Sequence, residues 1–386
     1  MPVQVLAYFD TSYQTGTAPD PWQALRQARP QSRRYPALNW PSTLGAYDLA
    51  DPAQASRVVA MAASAGIDGF VVELLPTAAG YSCGAAAIAA QCRPGRFGLA
   101  FNWRNQRDAF WTAPADADAR RARAGQLVAA MAEHRDHCIG GRVVLTVEAP
   151  AALAGAPEAL ALLRDAAKKA GLDDLYLIAS RADFSDVRTQ GYDAALDPDP
   201  SDWGSCPPSN RPSGLDVLEI QAGLRDSVEL TDKFYPYQLF IVSRMINREK
   251  RGKVFPRVFP AYFDWATHPD GGATLVVNHD AASGVDQYMF GLFIENAMIY
   301  AHQSFAPSEQ YVFLDSWNHW LEGSQIEPSV LDGDQIYLTV REAIDKARFI
   351  LRGRGERLDH RLDPALHQRI AEICEAAAAA AVKSPG

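Results

Sequence analysis

The sequence is poor in cysteine, and its cysteines are too irregularly spaced for a disulfide framework or a zinc site. It has five, an odd number: Cys83, Cys92, Cys138, Cys206 and Cys374. This usage favours a reduced, cytoplasmic setting. His134 and His137 stand beside Cys138, but no further ligand follows at metal-site spacing. We therefore expect a structural role for this group, and we predict no metal and no cofactor.

Long apolar runs, charge blocks and repeats are also missing. No stretch reaches the roughly 18 apolar residues of a membrane span, and the N-terminus lacks the basic region of a secretory signal. The net charge is −9 with acids and bases scattered, which argues against a nucleic-acid partner. No G-x-G-x-x-G follows a predicted strand, so the fingerprint of dinucleotide-binding folds is absent.

What is present is an alternation of strand and helix patterns in a chain of 386 residues, of which 48% are hydrophobic and 22% charged. Strands are predicted at 3–9, 66–76, 97–103, 142–150, 175–180, 192–196, 254–266 and 311–314. Helices are predicted at 52–66, 116–134, 157–170, 230–249, 286–302, 335–352 and 364–382. The pattern favours an α/β fold, a single (β/α)8 TIM barrel over residues 1–386 with a C-terminal helical extension over 353–386. An open doubly wound sheet is the alternative.

The most informative stretch is 310–328, which reads QYVFLDSWNHWLEGSQIEP. It begins as a short apolar strand and then becomes polar while staying aromatic, with Trp317, Asn318, His319, Trp320 and Glu322. Tryptophan rings can cover a sugar, amides bind hydroxyls, and Glu and His can move protons. The stretch therefore predicts a carbohydrate site at the end of a barrel strand. The alternative is an ordinary strand whose loop carries two tryptophans.

Other predicted strands also end in polar or aromatic residues. A barrel gathers the carboxyl ends of its strands at one face, so these residues are predicted to bind the substrate there. They are Tyr8, Asp10, Glu73, Asn102, Trp103, Glu148, Asp264 and Trp265. Carboxylates at such positions also cap helices or pair with arginine, and Asn102 and Trp103 could instead pack at the rim.

Four segments carry a resemblance to a known family: LGAYDLADP (44–52), GIDGFVVE (66–73), VFPRVFPAYFDW (254–265) and SWNHWLEGSQIEP (316–328). They resemble the WbsX-like proteins, bacterial relatives of glycoside hydrolase family 99 (endo-α-mannosidase), over about residues 44–343. The resemblance implies a (β/α)8 barrel that cleaves α-mannosides with retention. WbsX-like proteins are typically encoded with O-antigen and capsule assembly functions. A carbohydrate substrate and an association with polysaccharide-assembly enzymes are thus implied.

The family's motif is W/F-N-E-W-x-E-G followed by E-P, and the resemblance implies roles for its two glutamates. The first draws a proton from the sugar 2-OH to form a 1,2-anhydro sugar, and the second is the acid/base. Glu322 matches the second glutamate, whereas His319 stands in place of the first. The remaining matches to the motif are Asn318, Trp320, Gly323, Glu327 and Pro328. The opening YFDTSYQ (8–14) and the run after Phe70 also depart from the family.

His319 could still act as a base, because a neutral imidazole with an ordinary pKa near 6.5 accepts protons at neutral pH. Asp315, Asp264 or Glu148 could steer it. Three functions remain open from the sequence. The protein is a glycosidase with a modified base, an enzyme that transfers glycosyl groups during polysaccharide assembly, or a catalytically silent glycan-binding barrel.

Overall fold

The computed structural model describes residues 3–13, 20–30, 35–77, 80–84, 86–92, 96–108, 111, 116–134, 142–180, 185–197, 232–247, 252–278 and 280–353. The strands are β1 Gln4–Phe9, β2 Gly69–Glu73, β3 Leu75–Thr77, β4 Gly80–Ser82, β5 Gly98–Trp103, β6 Val143–Val147, β7 Leu175–Ser180, β8 Ala194–Leu196, β9 Lys233–Pro236, β10 Val254–Phe255, β11 Arg257–Val258, β12 Tyr262–Phe263, β13 Thr274–Val277 and β14 Tyr311–Leu314. The α-helices are α1 Pro21–Gln27, α2 Pro52–Ser64, α3 Ala86–Gln91, α4 Ala117–Ala132, α5 Ala156–Lys169, α6 Ser185–Arg188, α7 Tyr237–Asn247, α8 Gln287–Ser304 and α9 Gln335–Gly353.

The main sheet is a parallel barrel. Its nine strands follow the order β10-β8-β7-β6-β5-β2-β1-β14-β11. The two terminal strands of this order are consecutive in the chain and are separated only by Pro256, which has no backbone N–H to donate. β10 pairs with β8 and β11 pairs with β14, so residues 254–258 act as one strand that closes the ring. The predicted (β/α)8 barrel is confirmed.

Strand alternation separates two apolar layers. Every second residue points into the barrel, as Leu6, Val71, Ala100, Val144 and Phe313 do. The intervening residues, such as Val5 and Phe70, pack outward against the helices in a larger cluster. Because all barrel strands run in parallel, the inward positions at their carboxyl ends share one mouth, and this mouth holds the candidate site.

The helix starts follow from local signals in the sequence. The Asp51 side chain accepts from the N–H of Ala53, and Pro52 occupies the first position of α2. The Asp116 side chain likewise caps α4 by accepting from the N–H groups of Asp118 and Ala119. These starts agree with the predicted helices at 52 and 116.

Two predicted elements differ from the structure. The helix predicted at 230–249 begins only at Tyr237, because the preceding residues form β9, which pairs in parallel with the unpredicted β13. The strand predicted at 254–266 is divided at Pro256 and Pro260. Its last part, β12, pairs antiparallel with β13 in a separate three-stranded sheet. Asp264 and Trp265 therefore do not follow a barrel strand.

The C-terminal part of the prediction is only partly covered. The helix predicted at 335–352 is confirmed as α9. The helix predicted at 364–382 lies outside the described residues. Within the residues that the structure covers, no helix has both the length and the apolar character needed to cross a membrane.

Candidate active site

The site is built on a loop that follows β14 and folds back on itself. The N–H of Ser316 donates to the carbonyl of Ser324 at 2.8 Å, and the N–H of Trp317 donates to the carbonyl of Tyr8 at 2.8 Å. The Ser316 hydroxyl accepts from the N–H of His319 at 2.8 Å. A short 3-10 turn over Trp320–Glu322 then brings Glu322 back over the mouth. The loop is thereby held in one position relative to β1.

His319 lies between two carboxylates. Its Nδ1 is 3.3 Å from Oδ1 of Asp315 and 3.4 Å from Oε2 of Glu322. The His319 side chain is 9% exposed and that of Asp315 is 1% exposed, whereas that of Glu322 is 29% exposed. Of the three groups, Glu322 is therefore the one that a substrate can reach most readily.

Asp315 is fixed from the other side by Arg257. Nε and Nη2 of Arg257 lie 2.8 and 2.7 Å from Oδ2 of Asp315. Nη1 of the same guanidinium is 3.4 Å from Oε1 of Glu148, and its plane covers the ring of Tyr8 at 4.6 Å. Opposite charges thus alternate from Glu148 in the barrel to Glu322 at the mouth, and each group has a partner of the opposite sign.

This arrangement decides the protonation states. Burial alone would lower the pKa of His319, but the contacts and charges of Asp315 and Glu322 outweigh it and raise that pKa to about 10. Burial opposes the ionisation of Glu322, yet His319 and Arg104 hold its pKa below the usual value. Burial likewise opposes the ionisation of Asp315, and Arg257 and His319 hold its pKa far below the usual range. A pKa raised in this way favours the imidazolium form of His319 at neutral pH, whereas the base expected from the sequence requires the neutral form.

A second carboxylate, Glu73, ends β2 at the same mouth. It pairs with Asn102 in the strand register and is 16% exposed. Nε of Arg104 lies 3.4 Å from its Oε2, and Nη1 of Arg107 lies 3.9 Å from its Oε1. Burial raises the pKa of Glu73, and the charges of the two arginines and of His319 oppose that rise.

Inward residues of β1, β5 and β6 form the floor of the mouth. The hydroxyl of Thr146 donates to Oδ1 of Asn102 at 2.7 Å, and the Tyr8 hydroxyl donates to Oγ1 of Thr146 at 3.4 Å. Both Tyr8 and Asn102 are 3% exposed. These two predicted site residues do point into the barrel, but they lie beneath the exposed surface and position the groups above them.

Asn318 and Glu327 lie behind the mouth and lock the loop in place. Asn318 accepts from the N–H of Asp10 at 2.8 Å and donates to the Asp10 carbonyl at 2.9 Å. It also donates to the Tyr47 hydroxyl, which in turn donates to Oε2 of Glu327 at 3.0 Å. Asn318 is 0% exposed and Glu327 is 1% exposed. Both predicted substrate contacts therefore have a supporting position in the structure.

The four predicted tryptophans are not brought to the surface of the mouth: Trp103, Trp265, Trp317 and Trp320 are at most 3% exposed. Trp103 occupies an outward position of β5 and packs against Trp111 with ring centroids 5.3 Å apart. Trp265 stacks on Tyr35 and donates to the carbonyl of Pro36 at 3.2 Å. The expectation that these rings cover a sugar does not agree with their burial, which comes from strand alternation and loop packing.

Asp10 and Asp264 have mainly structural contacts. Asp10 follows β1 and accepts from the N–H of Ser12 at 2.7 Å. Asp264 accepts from the N–H of Thr274 at 2.6 Å and lies 3.5 Å from Nδ1 of His268. Burial raises the pKa of Asp264, and the charge of Glu322 adds to that rise, which places Asp264 near the site without opening it to solvent.

Sequence reasoning missed the cations of the site, Arg104, Arg107 and Arg257. The available signal was an arginine within the otherwise apolar segment VFPRVF, where a charge needs a buried partner. Arg104 likewise follows directly on the strand FGLAFNW.

The structure describes only part of the histidine–cysteine group for which a structural role is expected. Nε2 of His134 lies 3.2 Å from Sγ of Cys83, whereas His137 and Cys138 lie outside the described residues. The part of the chain that the structure describes contains no cluster of three or more His, Cys, Asp or Glu able to hold a metal ion.

A cavity of about 510 Å³ lies at the opposite, amino-terminal end of the barrel strands, beside Lys253, Tyr300 and Glu309. Its charged side chains pair with each other, with Nζ of Lys253 2.9 Å from Oε2 of Glu309. Active sites of (β/α)8 barrels lie at the other face, so this cavity does not compete with the mouth as the candidate site.

The burial of Glu327 yields a prediction. Burial raises its pKa to about 8, although the hydrogen bond from Tyr47 opposes the rise. A carboxyl group whose folded pKa is raised from 4.5 binds its proton more tightly in the folded state, so its contribution to stability falls as pH rises from about 4.5 to about 8. Glu327→Gln removes this titration. We expect the melting temperature of the variant to increase relative to that of wild type as pH rises from 5 to 9.

The measurement is thermal unfolding of both proteins across that pH range. Glu295→Gln is the matched control, since Glu295 lies on α8 and pairs with Lys346 away from the site. A difference between Glu327→Gln and wild type that stays constant with pH would show that Glu327 is ionised in the folded protein.

With the geometry defined, we compared the chain with known proteins. Residues 102–340, more than half of the chain, match the sequence model of a family described as "Glycosyltransferase WbsX". Among functionally curated proteins, no sequence matches the chain.

Two solved structures are similar over most of their length. One is the GH99 endo-alpha-mannosidase from Bacteroides thetaiotaomicron, with TM-score 0.54 and 15% identity, covering 91% of this chain and 99% of that one. Another, described as a glycoside hydrolase-like protein, has TM-score 0.56 and 16% identity, covering 89% of this chain and 94% of that one. At these identities the likeness establishes the fold alone.

Proposed function

The chain belongs to the WbsX glycosyltransferase family, and from this membership and the geometry of the mouth we propose that it breaks glycosidic bonds, with Glu322 as acid/base. One observation carries the proposal. Glu322, 29% exposed, is the most accessible member of a largely buried chain of charges, and its Oε2 lies 3.4 Å from a protonated imidazole. A reachable carboxylate beside a stored proton has the composition needed to protonate a leaving oxygen and then accept a proton.

The positions of the protons in the free site determine the order of the reaction steps. In the free site the pair holds one proton, on His319, and Glu322 is ionised. As the bond from the anomeric carbon to the leaving oxygen breaks, its electron pair stays on that oxygen, which takes a proton through Glu322. Nδ1 of His319 supplies this proton to Oε2. Water or another hydroxyl attacks the anomeric carbon and gives up a proton, and the pair regains its own proton from solvent before the next turnover.

His319 therefore serves as a proton store in this proposal and not as the base of the family's motif. Asp315 orients it, since its Oδ1 lies 3.3 Å from Nδ1 and its other oxygen is held by Arg257. A fixed partner of this kind keeps the imidazole aligned with Glu322 and stabilises its charge.

For the substrate we propose a mannoside-like glycan or another glycan of a bacterial surface polysaccharide, such as O-antigen or capsule. A structural neighbour is described as an endo-alpha-mannosidase, which supports the first option. The resemblance to WbsX-like proteins supports the second. It also leads us to propose a cytoplasmic protein that associates with polysaccharide-assembly enzymes.

Glycosyl transfer is the second candidate, and the family description favours it. The chemistry at Glu322 is the same, except that a sugar hydroxyl replaces water as the attacking group. The products differ by mass, because transfer adds the sugar to an acceptor and hydrolysis adds the oxygen of water.

The test is a mass-spectrometric screen of wild type against α-mannosides and lipid-linked O-antigen fragments, run in ¹⁸O-labelled water. We expect turnover in wild type and a loss of about 10²- to 10⁴-fold in Glu322→Gln, since the amide cannot transfer the proton. Glu295→Gln is the matched control and should keep wild-type activity. Label in the released sugar identifies hydrolysis, whereas an unlabelled, heavier acceptor identifies transfer.

Binding of these glycans without turnover in either protein would contradict the enzyme proposal. That result would instead identify a glycan-binding barrel. Turnover that persists in Glu322→Gln at the wild-type rate would assign the chemistry to another residue.

A further inference from the structure

When His319 is protonated, the site still needs a group that can accept a proton. The hydroxyl that attacks the anomeric carbon has to give up its proton, and glycosidic chemistry ordinarily uses a second carboxylate for this or an equivalent task. His319 cannot accept that proton while it is a cation, and Glu322 is engaged with the leaving oxygen. Another acceptor is therefore needed at the mouth.

Most other carboxylates near the mouth are committed to structural contacts. Asp315 is 1% exposed and is held by Arg257. Glu148 is 13% exposed, but its Oε1 faces the same guanidinium and its Oε2 is buried. Asp264 is 4% exposed and accepts from the backbone of β13. Glu327 is 1% exposed and lies behind Tyr47. Each of these four side chains is less exposed than that of Glu73.

Glu73 does have a suitable placement. It follows the inward-facing Val71 by two residues, so strand alternation directs it into the mouth. Its side chain is 16% exposed. The positive charge of His319 acts on Glu73, and the same imidazole contacts Glu322. Glu73 ends β2 and the loop with Glu322 follows β14, and only β1 lies between these two parallel strands, so both carboxylates lie on the same part of the mouth.

The surroundings of Glu73 also suit a base. Arg104 and Arg107, which follow β5, lie 3.4 and 3.9 Å from its two oxygens and fix their direction. Burial raises the pKa of Glu73, and the charge of Asp10 after β1 adds to this, whereas Arg104, Arg107 and His319 oppose it. A carboxylate made more basic by burial accepts protons better than an exposed one.

We propose that Glu73 is the second catalytic carboxylate, the base that takes the proton of the attacking water or acceptor hydroxyl. The inference rests on the proposed function of the mouth. In the step, the attacking oxygen forms its bond to the anomeric carbon while its proton passes to a Glu73 oxygen. The bond to the leaving oxygen breaks with its electron pair, and that oxygen takes the proton supplied through Glu322. The proton on Glu73 then returns to solvent.

The assignment is tested with the 4-nitrophenyl glycoside of whichever sugar the screen identifies, in wild type, Glu73→Ala and Glu322→Ala. Nitrophenolate leaves without a proton, so Glu322→Ala should lose much less activity on this substrate than on the natural one. Glu73→Ala should lose at least 100-fold on both. Sodium azide attacks without giving up a proton, so it should restore activity to Glu73→Ala at least 10-fold and yield a glycosyl azide detectable by mass spectrometry.

A merely structural role for Glu73 predicts loss of activity without azide rescue, and that result would overturn the inference. Activity of Glu73→Ala within threefold of wild type would overturn it as well. If Glu73→Ala does not fold, Glu73→Gln keeps the shape of the side chain. In wild type, protonation of Glu73 should make kcat/KM fall towards low pH, and this fall should be absent in Glu73→Gln. If the pH profile of Glu73→Gln is the same as that of wild type, the inference is wrong. Absence of turnover in wild type would instead contradict the proposed function, so the two failures are distinct.

Discussion

Replacing Arg257 with methionine is expected to lower the free energy of unfolding by about 3–5 kcal/mol, because it leaves a buried carboxylate without its cation. Asp315 is 1% exposed and receives two N–H groups of Arg257 at 2.7–2.8 Å. Methionine fills similar space along the stem of the side chain but supplies no donor. Among the described residues, His319 would then be the positive partner that Asp315 keeps.

The same change is expected to disturb the site beyond its effect on stability. Without Arg257, the pKa of Asp315 rises, and the carboxylate that orients His319 is weakened. Urea unfolding monitored by circular dichroism measures the stability, and a ¹⁵N NMR titration of histidine reports the protonation of His319.

Two further variants separate charge from packing at this position. Arg257→Lys keeps the charge but loses the two-pronged contact, so an intermediate loss is expected. The double variant Arg257→Met/Asp315→Leu removes both charges and should recover much of the stability lost in the single variant. If the double variant is as unstable as Arg257→Met, or if the single variant loses less than about 1 kcal/mol, the buried pair does not have the energetic role that we assign to it.

Gly323→Ala is expected to cost about 2–5 kcal/mol and to displace the adjacent Glu322. Gly323 has φ +62°, in the left-handed region, where a Cβ costs about 1–2 kcal/mol. A Cβ would also collide with the ring carbons of Phe263, and such overpacking typically costs about 1–3 kcal/mol more. Thermal unfolding and the activity towards the screened glycan are the readouts.

The chain provides a matched control for this prediction. Gly333 has φ +58°, but no atom lies within 4 Å of the place that a Cβ would occupy there, so Gly333→Ala measures the backbone cost alone. The excess loss in Gly323→Ala should be partly recovered by adding Phe263→Leu. If Gly323→Ala and Gly333→Ala lose the same stability, Phe263 moves aside at little cost. The close approach of Phe263 would then not be the reason that position 323 requires glycine.

The sequence by itself determined the elements whose signals are local. The caps at Asp51 and Asp116 fixed two helix starts, because a capping side chain and the N–H groups it accepts from are neighbours in the chain. The apolar runs predicted most barrel strands for the same reason. The stretch after β14 indicated where Glu322 and His319 lie, since their polar and aromatic character breaks sharply from the strand before them.

Only the tertiary structure decided the direction and partners of these side chains. Trp103 and Glu73 both lie at strand ends, yet one packs outward and the other faces the mouth, because strand alternation depends on a register that local composition does not specify. β9 escaped prediction because its pairing partner, β13, follows some forty residues later.

The charge state of His319 could not be predicted from the sequence either. Its ordinary pKa suggested a neutral base, but the folded chain places Asp315 and Glu322 against one ring nitrogen, and Arg257 from another strand holds Asp315 in place. Electrostatic energy depends on distance in space, and these distances exist only once the barrel has closed.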